Sequence, residues 1–412
     1  MNGRFTIGLF GIQGLYNFGC EAIVRGTYRL IREAWPNSSI VLYTYCPRED
    51  SAILKDLDIV CKEVPIRRFK LLRRIVNKLL RTVSSGIRLP IWDAKAVAEE
   101  CNVVFSIGGD IYTIPRFILD QGKEQAYNAI VEFGKTLVKY RPLVIWGASI
   151  GPFGNKDEVK EYYFSHLSDV HRIYCREEMT YRYLEKHIDT SKVLVMPDPA
   201  FYVKGEFGVR GETDKNRSKI RIALNLSPLS LYEYGGSNND FLEGQVMKSV
   251  RDLLTIPNIE LVLVPHVVSP FSEKDNDLAF LRSVYNNLSD LRTKEASVSI
   301  LEDCNGFINT KRFLKTCDIV IAARMHCAIN AITEGIPTIF ITYSLKGLGM
   351  ADYVYGSSRW IISIDDIGEK LKDAALELLS CKKTVAEQIK KRLKEIEREE
   401  TRVVESLSEL SP

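Results

Sequence analysis

The chain has little of what several protein classes require. Its nine cysteines stand singly, at 20, 46, 61, 101, 175, 304, 317, 327 and 381, with no C-x-x-C pair and an odd total. That usage argues against a disulfide framework or a zinc site and for a reducing compartment. No apolar run approaches the roughly 20 residues of a spanning helix. The N-terminus enters the strand-like run Phe5–Phe10 without a basic leader, so no signal peptide is expected and the reading places the chain in the cytoplasm. A net charge of +3 is too small to imply nucleic acid as a partner. One absence is local: between Val64 and Trp92 there is no acidic residue.

What is there reads as α/β. At 412 residues the chain is too long for one core. Short β-branched runs close on glycine or polar residues, with helical patterns between them. In the first part these runs are Phe5–Phe10, Ile40–Tyr45, Val103–Ile107, Leu143–Ile145, Ile173–Cys175 and Val193–Met196. The pattern restarts at Ile220–Leu224 and continues through Ile259–Val264, Val298–Leu301, Ile319–Ile321 and Thr338–Thr342. The expected organisation is a doubly wound domain over 1–204, a polar linker over 205–219, a second over 220–380 and a charged helix over 381–412. Two such domains facing across a cleft are the two-Rossmann, GT-B-like architecture of one glycosyltransferase superfamily. That last helix can cross back to the first domain or extend freely.

Where acids are missing, bases are frequent: Arg67, Arg68, Lys70, Arg73, Arg74, Lys78, Arg81 and Arg88. Phe69, Leu72, Ile75, Val76, Leu79, Leu80 and Val83 fall at helical spacing among them. Over 66–83 this is a basic amphipathic helix. It suits peripheral contact with an anionic membrane face, or docking on its own domain with a solvated basic face.

The densest chemistry lies in Asp318–Ala351. Arg324 and His326 follow a strand at a helix start, and Lys346 follows the next strand, Thr338–Thr342. Cationic groups at a helix N-terminus make an anion site. Arg324 can fork onto a phosphate or carboxylate. His326 can donate to an anion or act as a general acid. The carboxylates nearest in motif terms (Asp110, Glu177, Asp198) lie in the other domain, which leaves a bound anion as the counter-charge. His326 as a core histidine and Arg324 as a structural ion pair are the bland alternative. Gly11, Gly14 and Gly19 after the first strand lack dinucleotide spacing and fit close helix–sheet packing. Asp275-x-Asp277 has the spacing of a metal pair but sits where a helix N-cap explains it better, so no metal and no cofactor is expected.

Seven motifs run in series: Asn17-Phe18-Gly19-Cys20-Glu21-Ala22, Gly108-Gly109-Asp110, Gly147-x-Ser149-x-Gly151-Pro152, Arg176-Glu177, Asp198-Pro199-Ala200-Phe201, Arg324-x-His326 and Tyr343-x-x-Lys346. In this order and spacing the chain resembles the polysaccharide pyruvyl transferase family over about residues 5–360. It departs in carrying Cys20 where many members have aspartate. The resemblance implies transfer of the pyruvyl unit of phosphoenolpyruvate onto sugar hydroxyls as a cyclic ketal, the acceptor being a cell-surface polysaccharide or a lipid-linked oligosaccharide. It implies catalytic roles for His326, Arg324, Asp110 and Glu177. Substrate contacts fall to Arg176, Lys346, Asn17, Gly19, Ser149, His266 and Asp198, with Asp198 a structural alternative and Arg176 equally readable as a partner of Glu177 or Glu178. Two other readings stand beside it. One is a sugar-nucleotide glycosyltransferase, for which Glu334 is the one residue able to hold a ribose. The other is an inactive relative acting as an assembly scaffold.

Overall fold

The structure is a computed structural model that describes residues 4–80, 89–203, 218–235, 239–288, 297–303, 305–342 and 345–410. Two compact units are present: Met1–Leu15 with Thr27–Pro199 and Glu399–Pro412, and Tyr16–Gly26 with Ala200–Arg398. Both are discontinuous in the chain, unlike the consecutive domains expected. The expected linker falls almost wholly outside the described residues.

The first unit is built on β1 (Thr6–Phe10), β2 (Ser39–Thr44), β3 (Val60–Glu63), β4 (Val103–Ser106), β5 (Leu143–Ala148), β6 (Arg172–Cys175) and β7 (Val193–Val195). They form one parallel sheet in the order β3-β2-β1-β4-β5-β6-β7. Every residue of β4 and β5 is buried, as expected for strands covered by helices on both faces. The edge strand β3 is short and largely exposed.

The second unit repeats the scheme with β8 (Ile220–Asn225), β9 (Ile259–Leu263), β10 (Ser297–Ile300), β11 (Ile319–Ala322), β12 (Thr338–Thr342) and β13 (Ile361–Ser363). Their order is β10-β9-β8-β11-β12-β13, again all parallel. Both units are thus Rossmann-like: strand order reverses beside β1 and β4 in one, and beside β8 and β11 in the other. Ligands bind such sheets outside the strand C-termini at that reversal.

At the reversal of the first sheet two glycines allow a close approach. Gly11 has φ +110°, and a Cβ on it would lie 2.5 Å from Ile111 Cδ1. A Cβ on Gly108 would lie 2.6 Å from the Gly11 carbonyl oxygen. These residues let the loops after β1 and β4 come into close contact, which is not the helix–sheet packing expected of the glycines.

The C-terminal helix, Ile367–Ser408, is interrupted at Cys381. Its last turns count with the first unit, where the Tyr174 and Ser406 hydroxyls are hydrogen-bonded at 2.9 Å and Arg402 donates to the Val195 carbonyl at 2.7 Å. The basic amphipathic segment forms a helix over Lys70–Leu80, and positions 81–83 lie outside the described residues. Its apolar side chains are not buried: Phe69 is 76% exposed, Leu71 72% and Leu79 65%. No described helix is long and apolar enough to cross a membrane.

Candidate active site

In the second unit the site starts from backbone chemistry at the end of β11. Arg324 is extended (φ −88°, ψ 121°) and serves as N-cap of the helix Met325–Ile332, so His326 falls in its first turn. The helix is capped by Thr333, and Gly335 just beyond it has a φ of +74°, which suits glycine. Asn225, closing the neighbouring β8, accepts the Arg324 backbone N–H at 2.8 Å through its side-chain oxygen. Arg324 thus sits at the strand-order reversal.

Its guanidinium is not waiting for a counter-charge. Nη2 donates to Asp275 at 2.6 Å and to Asp277 at 2.8 Å, and Nε donates to Asp277 at 3.2 Å. Asp277 is fully buried, and its other oxygen accepts the His266 and Val267 backbone N–H groups at 3.0 Å each. Burial pushes the Asp277 carboxyl up, with the guanidinium opposing. The expectation of a bound anion as the sole counter-charge is therefore corrected. Asp275 and Asp277 supply it, and Asn276 between them is the N-cap of the helix Asp277–Asn286. The two carboxylates grip one guanidinium. Asp277 is the fixed partner; Asp275, with its side chain 32% exposed, is the one water reaches.

The Asn17–Ala22 motif is part of this same unit. Asn17 bridges to Val267, Phe18 N–H donates to the His266 carbonyl at 3.1 Å, and Val268 N–H donates to the Tyr16 carbonyl at 3.0 Å. Asn17 then caps the helix Phe18–Ala34, accepting the Gly19 N–H on its side chain at 3.0 Å. Gly19 lies flush on the imidazole: a Cβ there would be 2.5 Å from His326 Nδ1. Glu21, buried, accepts the Phe307 N–H at 2.6 Å and the Arg25 Nε–H at 2.7 Å. It thereby caps the helix Phe307–Leu314 and pins the motif beside His326.

His266 is buried between the rings of Phe18 (centroids 5.5 Å apart) and Phe307 (5.9 Å). Its Nε2 has no hydrogen-bond partner among the described residues. Burial first, then His326 and Arg324, hold its pKa well below the usual histidine value, so it is neutral. It is a packing neighbour of the site. Lys346 falls in the first turn of the helix Leu345–Tyr355, and its side chain lies outside the described residues, as do Tyr343 and Ser344. Glu334 is held by Lys311 at 3.4 Å and Lys315 at 3.7 Å. Lys311 is fully buried and its pKa is lowered to about 8 by burial, against the pull of Glu334.

The first unit gathers a second cluster from the ends of β4, β5, β6 and β7. Arg176, 2% exposed, donates from Nη1 to Asp198 at 2.9 Å, from Nη2 to Asp110 at 2.8 Å and from Nε to the Ser149 hydroxyl at 2.9 Å. The Ser149 hydroxyl in turn donates to Glu177. A Cβ on Gly109 would overlap Arg176 Nη1, so that glycine makes room for the guanidinium. Of its two readings, the one as an ion-pair partner of Glu177 matches the geometry, with Nε 3.7 Å from that carboxylate. Arg176 is enclosed in its own unit, because a desolvated guanidinium takes the nearest carboxylates. Asp198, fully buried, and Ser149, 3% exposed, belong to the same network and present no side chain to solvent. Three carboxylates around one cation make the cluster acidic. Its open member is Asp110, with a side chain 66% exposed; Glu177 is 12% exposed.

Known proteins resemble the chain at two levels. By fold, Anabaena HepE in complex with UDP and glucose superposes with a TM-score of 0.60 at 12% identity, covering 99% of this chain and 100% of that one. A glycosyltransferase from Rickettsia africae gives 0.58 at 12%, covering 99% and 100%. The UDP-GlcNAc 2-epimerase from Methanocaldococcus jannaschii gives 0.53 at 10%, covering 92% and 93%. At such identities the likeness concerns the fold alone, which is GT-B-like. By sequence, a family model, Polysaccharide pyruvyl transferase, matches residues 17–344, from the capping asparagine beside His326 to the serine after β12. The chain belongs to the polysaccharide pyruvyl transferase family.

Proposed function

We propose that the protein moves the pyruvyl group of phosphoenolpyruvate onto two hydroxyls of a sugar, in a cell-surface polysaccharide or its lipid-linked precursor, forming a cyclic ketal and releasing phosphate. One observation carries the reading. In a chain of this family, Arg324, His326 and a helix N-terminus share the strand-order reversal of the second sheet. A donor with a phosphate and a carboxylate on three carbons needs such donors close together.

In this proposal Asp277 keeps the guanidinium aimed, and the phosphate or carboxylate displaces the half-solvated Asp275. His326 delivers a proton to the methylene carbon, which leaves an oxocarbenium-like carbon next to the carboxylate. A sugar hydroxyl attacks that carbon and loses its proton to a general base. Phosphate departs, and the second hydroxyl closes the ketal as it too gives up a proton. The positive charges stabilise the departing phosphate. The protein's own side chains supply the charge, so the proposal invokes no metal and no cofactor. The helix Lys70–Leu80, with exposed apolar residues among basic ones, would hold the enzyme on an anionic bilayer where a lipid-linked acceptor sits.

Against a sugar-nucleotide donor, Glu334, the carboxylate available for a ribose, already pairs with Lys311 and Lys315. The test is incubation with phosphoenolpyruvate and a panel of saccharide acceptors, following phosphate release and the mass gain of a pyruvyl ketal. Sugar transfer from a nucleotide donor with no phosphoenolpyruvate consumption would refute the proposal.

A further inference from the structure

The first unit contains a cavity of about 410 Å³ that the clusters around Arg176 and Arg324 do not use. It opens where β2 and β3 end. Tyr45, Trp92, Tyr127 and Phe133 give it ring surfaces, and Glu63, Glu132 and Arg74 give it charge. The Tyr45 and Trp92 rings are 6.1 Å apart and tilted by 39°, while Phe133 stands perpendicular to Trp92 at 5.8 Å.

The amphipathic helix contributes to its wall and is fastened there. Asn77 exchanges two hydrogen bonds with the Leu89 backbone, at 2.7 and 3.0 Å. Arg73 donates to the Pro90 carbonyl at 3.2 Å, Arg67 N–H donates to the Ile91 carbonyl at 2.9 Å, and Ile66 bridges to Trp92. Opposite, the helix Ala129–Leu137 carries Glu132 and Phe133 and is capped by Asn128, whose side-chain N–H donates to the Ile111 carbonyl at 3.3 Å. The cavity wall is therefore tied to the loop that bears Asp110.

The volume lies within the range of about 300–1,000 Å³ typical of small-molecule sites. A pyranose has an apolar C–H face and an equatorial belt of hydroxyls. Ring surfaces suit the first and carboxylates the second. Aromatic rings with carboxylates also suit an organic cation, but Arg74 in the same lining repels one. Glu132 already accepts the Tyr162 hydroxyl at 3.1 Å, and burial raises Tyr45 to about 12, leaving it a neutral donor and acceptor.

We infer that this cavity is a saccharide subsite, seating a pyranose ring of the acceptor on the Tyr45–Trp92 surface with Glu63 and Glu132 at its hydroxyls. That the bound sugar belongs to the acceptor rests on the function proposed above; that the cavity binds sugar does not. Saturation-transfer NMR on the full chain, without phosphoenolpyruvate, tests it with methyl β-glucoside, methyl β-galactoside and diacetylchitobiose. At least one should receive saturation, concentrated on the C–H protons of one ring face. Tyr45→Ala, at a half-exposed position, and Glu63→Gln should each weaken that binding about tenfold with unchanged melting. No transfer to any of the three, transfer insensitive to both variants, or displacement of the sugar by tetramethylammonium would overturn the subsite. If sugars bind in this way while phosphoenolpyruvate is not consumed, the subsite stands and the proposed reaction falls. If pyruvyl transfer proceeds with an acceptor KM unchanged in both variants, the assignment of the cavity to the acceptor falls and the reaction stands.

Discussion

Replacing Gly19 with alanine should damage turnover without damaging the fold. The added Cβ would lie 2.5 Å from His326 Nδ1, 2.8 Å from Cγ and 3.0 Å from Cβ. Because the overlap reaches the root of the side chain, a ring flip does not relieve it. His326 must move by about 1 Å, and a misplacement of that size costs about a hundredfold in rate. Stability should change far less. Alanine is better than glycine in a helix by up to about 1 kcal/mol, and by less in the first turn where Gly19 sits, which partly offsets the crowding. The assay is phosphate release from phosphoenolpyruvate with a saccharide acceptor, beside NMR of the five histidines, with His326 assigned through His326→Gln. A Gly19→Ala protein with wild-type kcat and an unmoved His326 resonance would refute the reasoning.

Three further predictions concern other parts of the molecule. Asp277→Ala leaves the Arg324 guanidinium with Asp275 alone and two buried N–H groups without their acceptor, and should cost about 3–5 kcal/mol in urea denaturation. Asp275→Ala, at a part-exposed pair, should cost about 1 kcal/mol or less, and equal losses would mean that Asp277 is not the fixed partner. Burial lowers His166 from an ordinary value near 6.5 to about 3, so between those values the unfolded chain binds a proton that the native chain excludes. Stability should therefore fall as pH drops from about 6.5 towards 3. His166→Phe, which keeps a ring stacked 5.9 Å from Tyr112, should lose less Tm between pH ~7 and ~4.5 than wild type; an equal loss would count against the assignment. Finally, the protein should sediment with anionic but not neutral vesicles, and Leu71→Ser with Leu79→Ser should abolish it. Sedimentation independent of anionic lipid would remove the membrane role of Lys70–Leu80.

Much of the scaffold was legible because it is written locally. Buried parallel strands read as β-branched runs, and the step from Ile319–Ile321 through Arg324 to Gly335 and Pro337 placed a strand, a helix start and a helix stop close to where they lie. The edge strand β3, Val60-Cys61-Lys62-Glu63, went unread because an exposed edge has no apolar pattern to show. The partners of the key cations were not legible either. Arg324 meets Asp275 and Asp277 from 49 and 47 residues away, and Glu21 reaches Phe307 across 286. No periodicity encodes contacts at such separations. The Asn17–Ala22 motif could be found by its order among other motifs, but its place beside His326 depends on Asn17 pairing with Val267, which only the folded backbone reveals. Arg176 illustrates the same limit: its neighbour in sequence, Glu177, was visible, whereas Asp110 and Asp198 arrive through the sheet.

A thermal titration of the intact protein tests whether the Arg324–His326 site takes a donor bearing both phosphate and carboxylate. Phosphoenolpyruvate should raise the melting temperature saturably, by an amount equivalent to about 2.7 kcal/mol at a hundred times its Kd. UDP should leave the melting temperature unchanged, and His326→Gln should retain most of the phosphoenolpyruvate effect. Stabilisation by UDP with none by phosphoenolpyruvate would contradict the claim.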